Sequence, residues 1–179
     1  MTQQQPPHGA YVLETERLIL RRLTTEDAAF IFELVNEPSF IQNIGDRKVR
    51  THADAIRYIE QGPIASYDQH GFGLYRVELK DLQVPIGICG VLKRDTLDHP
   101  DIGFAFLPGF WRQGYAIESA TAVMGYARNA LGLGTIAAIT SPDNERSIQV
   151  LEKLGFQFQG MQRLSENEPE IRFFLSSAE

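Results

Sequence analysis

One segment of this chain constrains its fold more than any other, because a strand, a glycine-containing turn and the longest helix follow one another without a break. Residues 102–107 form an apolar run typical of a strand, and Pro108-Gly109 interrupts it. Near Gly114 a helix begins whose apolar side chains recur at helical spacing, which predicts one buried stripe. The stripe consists of Ala116, Ala120, Val123, Ala127 and Leu131. A helix with one apolar face needs a sheet or another helix to cover that face.

Capping patterns predict further helices. Thr24-Thr-Glu-Asp27 resembles a capping box and opens a helix over residues 26–36. Thr51-His-Ala-Asp54 opens another helix, which is expected to stop near Gly62-Pro63. A last helix is predicted over residues 143–154, since a glycine follows it.

The order of the predicted elements indicates the fold class. The other strand-like segments are residues 18–23, 71–79, 84–92, 135–140, 156–163 and 170–175. The resulting order βααβββαβαββ predicts an α+β fold, with a mixed sheet of six to seven strands and helices on both faces. We expect a single domain over residues 12–179, preceded by a loose N-terminal tail over residues 1–11.

Composition indicates the cellular compartment of the protein and argues against some classes of binding partner. The chain has one cysteine, Cys89, so it can form no intramolecular disulfide; this favours a reducing compartment and predicts a cytoplasmic protein. The residues before Tyr11 do not have the pattern of a signal peptide, and no run of about 18 apolar residues predicts a membrane span. The net charge of −6 argues against nucleic acid as a partner. The histidines lack the spacing of a metal site; they are His8, His52, His70 and His99.

The turn between the predicted strand and the longest helix has the features of an anion site. Amide groups in the first turn of a helix lack acceptors within the helix, and the helix dipole adds roughly half a positive charge beside them. Gly114 allows an oxygen to approach the backbone, and Arg112 supplies positive charge in an acidic chain. A pyrophosphate would suit this turn, although a tight strand–helix connection that binds nothing would show the same pattern.

A second segment makes the pattern more specific. Ser141-Pro-Asp-Asn144-Glu-Arg-Ser147 follows an apolar strand and opens a helix that Asp143 or Asn144 can cap. W-R-Q-G-Y-A-I-E-S-A resembles the pyrophosphate loop of GNAT acetyltransferases, and N-E-R-S-I-Q-V-L-E-K-L-G-F resembles their second cofactor segment. The opening L-E-T-E-R-L-I-L-R-R-L-T-T-E-D-A is similar to that of the RimJ/RimL subgroup, which acetylates the N-termini of ribosomal proteins. The resemblance covers residues 13–175.

The resemblance implies a GNAT-like sheet and an enzyme that transfers an acetyl group from acetyl-CoA to a primary amine. The family loop reads Q/R-x-x-G-x-G/A, and this chain departs from it by beginning with Trp111. The cofactor strand would pair its backbone with the pantetheine arm, and its amides would polarise the thioester carbonyl. The residues thereby assigned to cofactor binding are Phe104, Phe106, Leu107, Arg112, Gln113, Gly114, Tyr115, Ala116, Asn144 and Ser147. No metal ion is implied.

The resemblance also implies direct attack of the amine within a ternary complex, which needs an acid and a base. Many family members protonate the leaving thiolate with a tyrosine; this chain has Leu151 at the matching position, and Ser147 is the favoured substitute. Asp101 is the favoured base, because D-I-G-F aligns with the E-I-x-F of histone-acetyltransferase relatives. A helix-surface serine, a solvated carboxylate and deprotonation through water are the alternatives. Glu118 is expected to have a structural role, because an acidic residue in the first helical turn complements the helix dipole. Cys89 is expected to be a small buried residue of the core.

The sequence leaves the acceptor open. Acceptor pockets of the family come from variable segments, here residues 38–73 and 164–169. The opening motif and the W-R-Q-G-Y-A loop favour a peptide N-terminus over a small-molecule amine. The alternative hypothesis is a binding module that senses acyl-CoA without catalysis, which would be consistent with the missing tyrosine. Release of free thiol from acetyl-CoA would exclude this alternative. The sequence also allows a homodimer. Phe110 and Trp111 either anchor the loop or contact the acceptor.

Overall fold

One mixed sheet forms the centre of the structure, a computed structural model that describes residues 9–177. Its strands are β1 (Tyr11–Glu14), β2 (Leu18–Arg22), β3 (Leu74–Leu79), β4 (Pro85–Leu92), β5 (Asp101–Phe106), β6 (Ala137–Thr140), β7 (Gln157–Gln162) and β8 (Ile171–Leu175). The α-helices are α1 (Ala28–Asn36), α2 (Pro38–Asn43), α3 (His52–Ile59), α4 (Ala65–His70), α5 (Tyr115–Asn129) and α6 (Glu145–Lys153). In space the strands follow the order β1-β2-β3-β4-β5-β6-β8-β7.

The sheet opens between β5 and β6. This neighbouring pair is parallel, whereas all others in the sheet are antiparallel. In the described part of the chain, β5 and β6 are in register only at Asp101 with Ala137 and at Ile102 with Ala138. Beyond Ile102 the two strands separate, so within residues 9–177 the backbone of residues 103–106 has no strand partner on the β6 side. A free strand edge in the middle of a sheet can pair with an extended ligand.

Helices cover both faces of the sheet, which confirms the predicted α+β class. On one face α5 buries the middle of its apolar stripe, including Val123, against strand residues such as Val77 and Ile102. On the other face α1 and α3 form a second core that includes Ile59 and Ile88. Full burial of a side chain such as Val123 stabilises the fold by roughly 1.5–3 kcal/mol, so both layers contribute substantially.

The sheet has eight strands within the described residues, one more than the predicted maximum of seven. β1 pairs antiparallel with β2 and begins at Tyr11, the last residue that the sequence assigned to a loose tail. The sequence does not predict it because the strand has only four residues, Y-V-L-E, in which apolar and polar residues do not alternate. Residues 1–8 of the tail lie outside the described residues.

The predicted stop at Gly62-Pro63 is wrong. The helix begins as expected, with the reciprocal hydrogen bonds of a capping box between Thr51 and Asp54. A π-helical segment, Glu60–Ile64, then carries the chain through Pro63 into α4, which ends at His70 and is followed by Gly71 with a φ of 79°. Proline lacks an N–H and its ring clashes with the carbonyl four residues earlier, and the wider π turn accommodates both. The strand expected from residue 71 consequently begins at Leu74.

The short helix α2 was also not predicted. Glu37-Pro38 does end α1, as expected, but Pro38 occupies the first position of α2. Proline suits that position, because its missing N–H would have no partner there and its φ is already helical. The consequence for function is that α2 places Phe40, Asn43 and Ile44 beside the opening in the sheet.

Candidate active site

The turn from β5 into α5 forms a concave backbone surface. Arg112 has a φ of 60° and Gly114 a φ of 82°, so two residues of the turn are in the left-handed region. That conformation costs a non-glycine residue about 1–2 kcal/mol, which the loop tolerates at Arg112. Gly114 is the N-cap of α5, and the free amides of the first helical turn follow it. Successive amides in such a turn form an anion-binding nest.

Arg17 braces this turn from the outside. Its Nη1 donates to the Gln113 carbonyl at 2.9 Å, and its guanidinium carbon lies 4.4 Å from the centre of the Tyr115 ring. Its Nε also donates to Glu118 at 2.7 Å, while the Thr15 hydroxyl donates to the same carboxylate at 2.6 Å. Glu118 is therefore structural, as predicted. Arg17 was missed, since nothing in the sequence links it to a loop about 100 positions away.

A cavity of about 270 Å³ lies beside the turn, between β5, α5 and α6. The predicted cofactor residues that line it are Phe104, Phe106, Arg112, Gly114, Tyr115, Ala116, Asn144 and Ser147. Two predicted residues do not line it. The Leu107 side chain packs in the core under α1, and Gln113 points its amide to the Gly109 carbonyl.

This cavity is positively charged although the protein is acidic. Arg112, Arg146 and Lys153 line it, and none of the described residues that line it is acidic. The Arg146 guanidinium carbon lies 3.8 Å from the centre of the Trp111 ring, whose Nε1 donates to the Phe106 carbonyl at 2.8 Å. Trp111 therefore anchors the loop to the end of β5 and carries a cation on its exposed face. Arg146 lies within the N-E-R-S motif but was not singled out.

A second cavity, of about 660 Å³, lies on the other side of the opening in the sheet. Its lining draws on both segments expected to form an acceptor pocket; Arg47 and Tyr58 belong to the first, and Leu164 and Glu168 to the second. The residues that line both cavities are Phe40, Asn43, Ile44, Phe104, Ala105, Asn144 and Ser147. Two ligands, one in each cavity, would therefore meet at a common wall.

Asn144 and Ser147 form a local unit in that wall. The Asn144 Oδ1 accepts from the Ser147 backbone N–H at 3.3 Å and caps α6, as predicted. Its Nδ2 donates to the Ser147 Oγ at 2.9 Å. Because the serine oxygen accepts this hydrogen bond, the hydroxyl proton is left to be donated elsewhere. Leu151, one turn further along α6, is buried.

Asp101 is a buried carboxyl at the start of β5. Its side chain is 1% exposed, and it lines the second cavity. The Arg94 Nε donates to both of its oxygens, at 3.0 and 3.1 Å. Burial raises the pKa of Asp101 to about 6, although the charge of Arg94 opposes the shift. Asp101 is therefore not the solvated carboxylate of the alternative interpretation, and a carboxyl with a pKa of about 6 is suited to exchange a proton near neutral pH.

The remaining reactive side chains lie in ordinary surroundings. Cys89 is fully buried in β4, and burial raises the pKa of its thiol to about 12, which makes it a poor nucleophile. The part of the chain that the structure describes brings no three His, Cys, Asp or Glu side chains together at a metal-binding distance. No helix within residues 9–177 is long and apolar enough to cross a membrane.

A cationic loop at a helix N-terminus and two cavities that meet across an opened sheet are the arrangement of a transferase for two substrates. Comparison with known proteins identifies the family. The acetyltransferase (GNAT) domain model matches residues 17–157. A Bacillus subtilis (strain 168) protein described as the uncharacterized N-acetyltransferase YoaA is 33% identical over 154 residues, which are 85% of this chain and 86% of the relative. The chain belongs to the GNAT family and is an acyl-CoA-dependent acetyltransferase.

Solved structures agree with this fold. An acetyltransferase from Agrobacterium tumefaciens str. C58 superimposes with a TM-score of 0.79 at 22% identity, and the match covers 99% of each chain. RimL, a ribosomal-protein α-N-acetyltransferase in complex with coenzyme A, superimposes with a TM-score of 0.76 at 17% identity over 93% of this chain and 97% of its own. At these identities the similarity establishes the fold.

Proposed function

We propose that the protein acetylates a primary amine, with acetyl-CoA in the first cavity and the amine in the second. The observation that carries this proposal is the common wall, where Phe104, Asn144 and Ser147 face both cavities. A donor thioester and an acceptor nitrogen on either side of this wall can react in a ternary complex, without an acyl-enzyme intermediate.

The positively charged cavity suits the charge of coenzyme A. The amides of residues 112–116 would bind the pyrophosphate, and Arg146 and Lys153 add positive charge beside it. The pantetheine arm would lie along the free edge of β5 and exchange backbone hydrogen bonds with residues 104–107. The Asn144 amide would hydrogen-bond the same arm. An amide from β5 would also polarise the thioester carbonyl, a role typically worth a few kcal/mol in the transition state.

Asp101 and Ser147 supply the two proton transfers in this proposal. The Asp101 carboxylate takes one proton from the ammonium, and the neutral nitrogen forms a bond to the thioester carbon. The carbon–sulfur bond breaks, and the thiolate leaves with the proton of the Ser147 hydroxyl. The nitrogen releases its second proton as the amide forms, and this proton replaces the one that Ser147 donated. A thiol with a pKa near 8.5 is a good leaving group, so a weak acid suffices.

Replacing Ser147 with alanine is expected to lower kcat by about tenfold, less than the roughly 100-fold that general acid catalysis usually contributes, because the thiolate is a good leaving group. The KM for acetyl-CoA should change less, since the hydroxyl is one of many contacts around the cavity. Steady-state kinetics with saturating acceptor measure both constants. Cys89→Ala is the control, because Cys89 lines neither cavity. A loss of activity in the folded Cys89→Ala variant, or an acyl-cysteine trapped by mass spectrometry, would contradict direct transfer.

We propose further that the amine is the α-amino group of a peptide. An α-amine has a pKa near 8, about two units below that of a lysine ammonium. The Asp101 carboxyl, with a pKa of about 6, could deprotonate such an amine more readily than lysine. The opening motif, similar to that of the RimJ/RimL subgroup, favours the same acceptor.

Short peptides with free Ala, Ser or Met N-termini are therefore expected to be acetylated at least tenfold faster than N-terminally blocked peptides that contain lysine; a pKa difference of about two units leaves margin for such a ratio. Thiol release and the mass of the acetylated peptide give the rate and the position of the acetyl group. Faster reaction of blocked lysine peptides or of polyamines would refute the acceptor, while the acetyltransferase activity would stand.

A further inference from the structure

Three polar side chains gather at one end of the second cavity, and the reaction described above uses none of them directly. Arg47 comes from the loop after α2, Tyr58 from α3 and Arg94 from the loop after β4. All three line the same cavity as Asp101. Burial raises the pKa of the Tyr58 phenol, and the charges of Arg47 and Arg94 partly oppose this shift, so both guanidinium groups lie close enough to act on it.

Arg94 uses only part of its hydrogen-bonding capacity. Its Nε alone serves Asp101, and its two terminal nitrogens have no hydrogen-bond partner within residues 9–177. The side chain is about a third exposed, and like the almost fully buried Asp101 it lines the second cavity. A guanidinium with free terminal N–H groups matches the two oxygens of a carboxylate.

Arg47 and Tyr58 are likewise available to a ligand. The adjacent Asp46 is already committed to Arg50, whose Nη1 and Nη2 reach its two oxygens at 3.0 and 2.5 Å. These hydrogen bonds lower the pKa of Asp46 to about 2. In the described part of the chain Arg47 forms no hydrogen bond or ion pair, and the Tyr58 hydroxyl forms no hydrogen bond. The Arg47 guanidinium and the Tyr58 hydroxyl therefore line the cavity together with Arg94, whose charge is paired with Asp101 but whose terminal nitrogens remain available to a ligand.

Two acidic residues of the cavity lie away from Asp46 and Asp101, at another end. Glu168 and Glu170 come from the loop between β7 and β8, beside the end of β6, where Thr140 pairs with Arg172. Asp101 is level with Ala137, three residues earlier along the parallel pair. Three strand residues span about 10 Å, so the cavity has a basic end next to Arg94 and an acidic end next to Thr140. A carboxylate on the acceptor would be attracted to the basic end and repelled from the acidic end, and Asp101 lies at the same basic end to receive a proton from the amine.

We propose that the acceptor carries a carboxylate in addition to its reacting amine, and that Arg47, Tyr58 and the free nitrogens of Arg94 bind this carboxylate. The inference rests on the proposed function, in which the second cavity holds the acceptor. The carboxylate can come from an acidic side chain that follows a peptide N-terminus or from the α-carboxylate of a free amino acid. The two sources have the same binding chemistry but differ in size.

Matched acceptors test the proposal and distinguish the two sources. One series consists of short peptides with a free N-terminus and Asp or Glu at the second or third position, beside the same peptides with Asn or Gln. The other consists of free amino acids beside their amides. We expect the kcat/KM of the acid to exceed that of its amide partner by about tenfold in at least one series, as loss of one charge-assisted hydrogen bond would produce. Equal values in both series would overturn the proposal.

Substitutions in the basic end then locate the preference. Arg47→Ala and Tyr58→Phe should each bring the acid-to-amide ratio toward one, mainly through the KM of the acid, and Arg47→Glu should reverse the ratio. Arg94 is left unchanged because it also holds Asp101. The control is Arg57→Ala, an exposed arginine on α3 that pairs with Asp54 and does not line the cavity. A ratio unaffected by the Arg47 variants would refute this assignment. Failure of the wild-type enzyme to acetylate any amine would instead refute the proposed function on which it rests.

Discussion

Gly114→Asp is expected to abolish measurable binding of acetyl-CoA. Aspartate would place a carboxylate at the N-cap of α5, where the proposed pyrophosphate meets the first amides of the helix. A Cβ at this position would lie 3.2 Å from the Arg17 Nη2, so the new carboxylate would also draw Arg17 away from Gln113. Charge repulsion and a distorted turn act in the same direction. We expect affinity to fall at least 100-fold, which corresponds to about 2.8 kcal/mol.

The experiment needs a control for backbone strain, because Gly114 has a φ of 82° that aspartate rarely adopts. Gly132→Asp provides it. Gly132 lies beyond the far end of α5 with a φ of 66°, and no heavy atom would meet an added Cβ there within 4 Å. Both variants should lose comparable thermal stability, and only Gly114→Asp should lose binding in a calorimetric titration. Undiminished affinity in folded Gly114→Asp would show that the cofactor binds elsewhere.

The sequence predicts the local parts of the site well. Gly114 and Asn144 each perform their roles within one turn of chain, as the N-caps of α5 and α6, and capping follows rules that short segments obey. The hydrogen bond between Asn144 and Ser147 likewise spans three residues. Such features need no knowledge of the fold.

The parts that depend on distant contacts could not be predicted from sequence. Arg17 contacts the loop before α5 only because β2 and α5 pack together in the fold. An acidic residue at a helix start is common, so Glu118 does not indicate in the sequence that Arg17 is its partner. Asp101 looks like a solvated strand-end carboxylate until the fold buries it against Arg94. The opening between β5 and β6 is a property of their pairing, and no pattern in either strand encodes it.

Two prolines illustrate a different reason why parts of the fold could not be predicted from the sequence. Pro38 and Pro63 were interpreted as breaks, since proline disrupts the interior of a helix. In the structure Pro38 ends α1, as predicted, but also begins α2 beside the cavity, whereas Pro63 lies in a π-helical segment that continues the helical chain into α4. Only the predicted stop at Pro63 is wrong, because the wider π turn and burial of Pro63 outweigh the local propensity there.

Asp101→Asn is expected to lower kcat/KM by about 100-fold, as removal of a general base commonly does. The size of the loss should depend on pH in a defined way. Below the Asp101 pKa of about 6 the wild-type carboxyl is protonated and cannot act as a base, so the two proteins should converge. Above the amine pKa, near 8 for an α-amine, the acceptor is already neutral and needs no base. The difference should therefore be largest between these two values.

A pH–rate profile of kcat/KM over this range checks the assignment. The wild-type curve should rise through pH 6 as Asp101 ionises, and the variant should lack this limb. Asp27→Asn is the matched control: Asp27 is 3% exposed and paired with Arg21 and Arg76, but it lines neither cavity. Both substitutions remove a buried, paired carboxylate and should lower stability, so a thermal melt separates that effect from catalysis. If folded Asp101→Asn keeps the height and shape of the wild-type profile, the proton passes to water or to another carboxylate, and the shifted pKa of Asp101 reflects burial alone.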